Sequence, residues 1–266
     1  MENHKKYFEA NKLLWNQRTA VHKDSEIYNL AAFKAGENVL TEIELREVGN
    51  VKNKSLLHLQ CHFGMDSLSW SRLGAKVTGI DLSDESIKLA TQLNDELKLD
   101  VKFICCNVYD SSEFVKEQYD IIFTSYGTIG WLPDLTPWAN MIAERLKPGG
   151  FFYIADFHPV LWMFDDEFTH IKYAYNNQEA IVTENQGTYT DRNADIKGKE
   201  YNWNHSISDI MNALMAAGLK LEFFNEYMYS PYPCFRNITE YEKGKWHIKG
   251  MEGKIPMIYS LKAIKL

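Results

Sequence analysis

The feature that most constrains the fold is a strand, a tight turn, a helix and a second strand within residues 55–82. Ser55 to Leu59 is a short apolar run. Gln60-Cys61-His62-Phe63-Gly64 is a turn with one glycine. Met65 to Leu73 has helical spacing, with Leu68 and Leu73 among its apolar positions. Gly74 stops that helix, and Lys76-Val77-Thr78-Gly79-Ile80 runs into Asp81 as a second strand. Apolar runs bounded by turn signals suit strands buried on both faces, as in a parallel sheet, and this order of elements gives a right-handed βαβ unit. Ligands of open α/β sheets bind at the carboxyl ends of the strands. Gly64 can adopt backbone angles other residues resist, and it lets a ligand approach the main chain. A carboxylate where the second strand ends, Asp81, can accept from both hydroxyls of a ribose. Together they point to a nucleoside-containing cofactor. The bland alternative is a generic α/β domain whose strand merely ends in Asp.

The stretch resembles motifs I and II of the class I S-adenosylmethionine-dependent methyltransferases. That family's first loop runs acid-x-Gly-x-Gly-x-Gly. Here His58 stands for the acid, Gln60 and His62 for the first two glycines, and only Gly64 is kept. The same changes oppose a NAD(P)-dependent oxidoreductase, whose pyrophosphate needs glycines to meet the helix N-terminus. Gln60 and His62 would crowd a diphosphate, and S-adenosylmethionine has none. A cofactor-binding protein of this fold without methyl transfer is the other alternative that the altered loop keeps open.

The resemblance continues downstream. Ser83 caps a helix over Asp84–Leu97, and Val101–Cys106 is a third strand ending in Asn107. Tyr119–Ser125, YDIIFTS, resembles motif IV, and ERLKPGG before Phe151–Phe157 is the most family-like string. The resemblance implies an α/β, doubly wound, Rossmann-like seven-stranded sheet in the order 3-2-1-4-5-7-6 with the last strand antiparallel. It implies S-adenosyl-L-methionine as cofactor, held by Gln60, Cys61, His62 and Gly64 at the methionine part. Asp81 and Leu82 would hold the ribose, Asn107 and Val108 the adenine, and Ser125 and Tyr126 the centre where the methyl faces its acceptor. For Asn107 the competing reading is a cap on the next turn.

Residues 1–50 read as a helical cap, with helices over 3–20 and 36–48; residues 51–159 are the cofactor-binding core and 160–205 an inserted β lid. Short strands are expected around Tyr173–Tyr175, Ala180–Thr183, Thr188–Thr190 and Lys199–Trp203; residues 206–266 complete the sheet of a single methyltransferase domain. The competing reading of the insert is an oligomerisation hairpin, which would make a homodimer. Met228 to Gly253 reads as a loop. Trp15, Tyr28, Trp131, Trp162, Trp203 and His205 are the expected substrate-binding residues, and the resemblance brings Trp15, Arg18 and His22 near the cofactor. His158, at a strand's carboxyl end, and His22 are the candidate general bases, since imidazole titrates near neutrality. The alternative for each is packing or pocket shaping.

The chain has 266 residues, enough for a sizeable core, and a net charge of −7 with no basic block beyond pairs such as Lys5-Lys6. That opposes a nucleic-acid partner. No apolar run is long enough to span a bilayer, and the start MENHKKYFEANK lacks the apolar core of a signal peptide, so a cytoplasmic location is expected. Aromatic content of 14% fits a lined small-molecule pocket. With sheet order 3-2-1, Cys61-His62 and Cys105-Cys106 lie two strand spacings apart, roughly 10 Å. Zinc ligands must reach ~2.0–2.3 Å, so no metal is expected.

Overall fold

The protein is described by a computed structural model covering residues 4–266; residue 3, where the first helix was expected to start, lies outside the described residues. Helices α1 (Lys5–His22), α2 (Leu30–Lys34) and α3 (Glu42–Val48) precede the sheet. Then follow β1 (Ser55–Leu59), α4 (Met65–Arg72), β2 (Lys76–Asp81), α5 (Asp84–Leu97), β3 (Lys102–Cys105), α6 (Ser111–Phe114), β4 (Tyr119–Ser125), α7 (Leu135–Arg145) and β5 (Leu146–Phe157). A hairpin, β6 (Ile181–Gln186) and β7 (Lys197–Asn202), leads to α8 (Ile207–Ala216) and β8 (Leu219–Tyr227). A second hairpin, β9 (Ile238–Glu242) and β10 (Lys245–Ile248), precedes β11 (Ile258–Lys265).

Seven strands form one sheet in the order β3-β2-β1-β4-β5-β11-β8. β1 to β5 are parallel, and β11 runs antiparallel to both β5 and β8. The expected order is borne out, with β8 and β11 as sixth and seventh strands. Side chains alternate between the two faces, as the period of a strand requires. Leu57, Ile122, Phe152 and Ile154 share one core with Trp138 and Ile142 of α7 and Ile210 of α8. Leu56, Ile121, Phe123 and Tyr153 share the other with Leu68 and Trp70 of α4. Burial on both sides is why these strands read as unbroken apolar runs.

Four local expectations change. The helix expected from 36 starts at Glu42, because Thr41 and Glu44 form a capping box that begins it there. β5 starts at Leu146 rather than after Lys147-Pro148-Gly149-Gly150, through a register shift opposite Tyr119–Ile121. In the insert only β6 and β7 are strands. Thr188 instead closes a turn on Asp191 (N–H to O, 2.9 Å), and Tyr173 makes an isolated bond to Met163 O at 2.9 Å. Residues 228–253 are not merely a loop: β9 and β10 pair, turning at Gly244, whose φ is +74°.

α1 closes the open edge of β7. Asn11 Nδ2 donates to Tyr201 O at 2.8 Å, and Tyr201 N–H donates to Asn11 Oδ1 at 2.9 Å. The amide side chain thus supplies the ladder bonds of a further strand, which blunts the edge.

Gly64 has φ +81°, and a Cβ there would lie 2.6 Å from Phe103 Cζ and 3.0 Å from Ala90 Cβ. The glycine therefore serves close packing of turn against strand and helix, as well as its backbone angle. Gly64→Ala should cost about 2–4 kcal/mol from strain and overpacking, read by urea denaturation. A Phe103→Leu background should recover part of that cost; an unchanged midpoint in Gly64→Ala would refute the packing account.

Candidate cofactor and acceptor cavity

A cavity of about 600 Å³ lies over the carboxyl ends of β1 to β5, within the size range of small-molecule sites. Its floor is the loop 60–64 after β1. Gln60 and His62 have φ of +53° and +50°, so the loop keeps a left-handed backbone where the family carries glycine, at a cost of order 1–3 kcal/mol each. Gln60 Nε2 donates to Thr128 O at 2.8 Å, tying this loop to the one after β4. Its Oε1 is buried without a hydrogen-bond partner. His58 Nδ1 meets Ser67 Oγ at 2.7 Å, and burial lowers its pKa to about 3.

Asp81 joins the two motifs. Its Oδ2 accepts from His62 N–H at 2.8 Å and its Oδ1 from Ser83 N–H at 2.8 Å. Each oxygen keeps a lone pair, since a carboxylate offers about four acceptor sites. Burial pushes its pKa up to about 6, opposed by those backbone N–H groups. Asn107 Oδ1 accepts from Tyr109 N–H at 3.1 Å, so the turn-capping reading is the one seen; a second lone pair on that oxygen remains while the residue lines the cavity.

The loop after β4 is shaped by Asp156. Its carboxylate accepts from Gly127 N–H, Thr128 N–H at 3.2 Å and Thr128 Oγ1 at 3.1 Å. Ser125 Oγ donates to Asp66 Oδ2 at 2.9 Å. Trp131 Nε1 donates to Gly127 O at 2.7 Å, and Trp131 packs edge-on to Trp15 with centroids 5.4 Å apart. Over both rings lies the Arg18 guanidinium, 5.2 Å from Trp15 and 5.7 Å from Trp131. Arg18 is ion-paired with Glu200 of β7, and Tyr28 is hydrogen-bonded to Tyr189 between β6 and β7. Cap and hairpin together make a roof.

Gln60, Cys61, His62, Gly64, Asp81, Leu82, Asn107, Val108, Ser125 and Tyr126 all line this one cavity, as do Trp15, Tyr28, Trp131, Trp162 and Trp203. His205 does not. Its Nε2 meets Leu132 O at 2.7 Å, where it holds the loop before α7. His158 does not line the cavity either; Nε2 sits 3.0 Å from Glu226 Oε1 on β8, and Nδ1 accepts from Val160 N–H at 3.2 Å. The side chain turns toward the antiparallel strands, where Glu226 holds it. His22 stands behind the wall, packed against Trp15, Tyr28 and His62 and bonded to Thr188 Oγ1 at 2.7 Å. Burial, helped by Arg18, lowers its pKa to about 3, so it is a poor base near neutrality. Asp66, Asp156, Tyr189 and Tyr232 line the cavity without having been expected. Asp66, two residues past Gly64, was open to inspection in the sequence. Among the described residues no group of three or more His, Cys, Asp or Glu is placed to hold a metal.

The family described as "Methyltransferase domain" matches residues 57–154, from the middle of β1 to β5. The chain is similar to ubiquinone biosynthesis O-methyltransferases. With that of Hydrogenovibrio crunogenus it shares 26% identity over 111 residues, 42% of this chain and 46% of that protein. With that of Bordetella avium it shares 30% over 107 residues, 40% and 44%. The chain thus spans about half the length of the curated relatives it matches. An S-adenosylmethionine-dependent methyltransferase from Mesorhizobium loti superposes with a TM-score of 0.56 at 18% identity, covering 87% of this chain and 99% of that one. Geranyl diphosphate C-methyltransferase from Streptomyces coelicolor, with S-adenosyl-L-homocysteine bound, gives 0.57 at 16%, covering 85% and 78%. The fold of these two structures therefore extends over most of the chain, well beyond the matched residues.

The neutral histidines make acid stability testable. His58 stays uncharged when folded, whereas the unfolded chain takes up its proton below about 6.5. The stability linked to it is complete above that pH and is lost as pH falls toward its folded value near 3. Between pH 6.5 and 5 the loss should be about 2 kcal/mol. His58→Gln should remove that share of the slope in urea titrations at the two pH values; an identical slope would refute it.

Proposed function

We propose that this protein moves the methyl group of S-adenosylmethionine onto a small-molecule acceptor, in the cytoplasm and without a nucleic-acid partner. The observation that carries this reading is Asp81. A partly buried carboxylate ends β2, is fixed by two backbone N–H groups, keeps a lone pair on each oxygen and lines the cavity. This is the acceptor pair that a ribose diol needs.

The donor set fits the cofactor along its length. Asp81 with Leu82 would hold the ribose, Asn107 with Val108 the adenine, and the 60–64 loop with Ser125 and Tyr126 the methionine part. When bound, S-adenosylmethionine supplies an activated methyl group on a positively charged sulfur. The chain's own work is to orient and to exclude water, and orientation alone can supply ~7–11 kcal/mol. Tyr126 offers an aromatic face that suits a cation, while Trp15 and Trp131 already carry the Arg18 guanidinium. Phe157, Trp162, Tyr232 and Phe235 continue the wall on the far side and would seat an acceptor of largely apolar surface. The β6–β7 hairpin is read as a lid rather than a dimer contact, because α1 of the same chain closes its β7 edge. The Arg18–Glu200 pair would latch that lid, since loops over active sites commonly gate access. The net charge of −7 opposes a polyanionic substrate.

Calorimetric titration tests the reading. S-adenosylmethionine and S-adenosylhomocysteine should bind, and NADH should give no heat of binding. Asp81→Ala should lower affinity about tenfold or more, since hydrogen bonds to a charged group are worth about 1.5–3 kcal/mol. Unchanged affinity in that variant would overturn the assignment.

A further inference from the structure

One carboxylate inside the cavity is engaged neither at a cofactor motif nor in holding a loop. Asp66, in the first turn of α4, is half-buried and lines the cavity, and its Oδ2 accepts from Ser125 Oγ at the end of β4 (2.9 Å). Its Oδ1 makes no hydrogen bond, and the side chain no ion pair, among the described residues. The other acids lining the cavity are engaged or exposed. Asp81 and Asp156 hold backbone N–H groups, Asp165 takes Thr169 Oγ1, Glu200 is paired with Arg18, and Asp166 is exposed.

An aromatic wall begins beside this carboxylate. Ser125 runs into Tyr126, whose ring meets Tyr232 edge-on with centroids 5.0 Å apart and Phe157 at 5.8 Å. Phe157 in turn meets Phe235 at 4.9 Å and Trp162 at 5.9 Å. All five rings line the cavity. Burial, with Glu44 and Asp66 adding to it, keeps the Tyr126 and Tyr232 hydroxyls protonated, so the wall itself brings no charge.

We propose that the methyl acceptor is an amine on an apolar or aromatic body, its nitrogen held by Asp66 Oδ1 and its body lying along Tyr232, Phe157 and Phe235. This rests on the methyltransferase reading above. A carboxylate in a poorly solvated place without a cation is costly, and an ammonium or a polarised N–H offsets that cost. Ring faces favour the same charge. The cations that line the cavity do not answer it: Arg18 is paired with Glu200, Arg236 with Glu167, and Lys172 and Arg192 are exposed. Burial pushes the Asp66 pKa up while the Ser125 hydroxyl holds it down, and a cation at Oδ1 works in the second direction. An acceptor carrying a carboxylate there would instead set two like charges side by side. In the transfer the nitrogen lone pair forms the new N–C bond as the C–S pair returns to sulfur, leaving a neutral thioether. The nitrogen then carries the positive charge, and one N–H proton passes to Asp66 Oδ1 and on to water. The carboxylate thus stands where charge develops.

The test is calorimetry of the full chain saturated with S-adenosylhomocysteine at pH 7. The titrants are 2-phenylethylamine, 2-phenylethanol and phenylacetate, which share one ring and differ in charge. The amine should bind about tenfold tighter than the alcohol, and the acid should bind most weakly. Asp66→Asn should erase the preference for the amine while S-adenosylhomocysteine still binds. No preference for the amine in the unaltered protein, or one that survives in Asp66→Asn, would overturn the proposal. Failure of S-adenosylhomocysteine to bind the unaltered protein would instead overturn the methyltransferase reading.

Discussion

The site depends on how the Asp81 carboxylate is held. One oxygen takes the N–H of His62 in the turn after β1, and the other takes the N–H of Ser83, the cap of α5. A single side chain thus locks the ends of two neighbouring parallel strands. It stays half-exposed to the cavity. The bonds that fix it also favour its charged form, against burial that disfavours it. Gln60 then ties the same turn to Thr128, and Asp156 gathers the N–H groups of that second loop. The floor is built from backbone groups positioned by two carboxylate acceptors and one amide donor, which suits a site whose task is orientation.

The roof is built differently. Asn11 and Arg18 of α1 reach β7, and Tyr28 reaches Tyr189, through contacts that span most of the chain. The Arg18 guanidinium lies over two tryptophans and is paired with Glu200. It offsets local acidity without projecting a free charge into the cavity. The roof rests on a few side-chain contacts and the floor on the sheet, so opening should begin at the hairpin.

The sheet was legible because its strands are buried on both faces and are punctuated by turn residues, a pattern local in sequence. The cofactor positions were legible for a related reason: each sits at a strand end, where topology dictates what the residue faces. The loop 60–64 shows the limit. Gln60 and His62 hide a glycine-like backbone that composition alone would deny. His158 also ends a strand, yet Glu226 on antiparallel β8 turns it from the cavity, and that partner is remote in sequence. Asp66 with Ser125, and Arg18 with Glu200, meet only through the tertiary fold. The β9–β10 hairpin was missed because its strands are short, Ile238–Glu242 and Lys245–Ile248, and the alternation in Lys245-Trp246-His247-Ile248 spans too few residues to stand out from the polar stretch around it.

The most direct test is a crystal structure of the complex with S-adenosylhomocysteine. The account predicts both ribose hydroxyls within hydrogen-bond distance of Asp81, the adenine beside Asn107 and Val108, and the sulfur facing Ser125 and Tyr126. A ligand seated elsewhere in the cavity, with Asp81 bonded only to the backbone of His62 and Ser83, would contradict it.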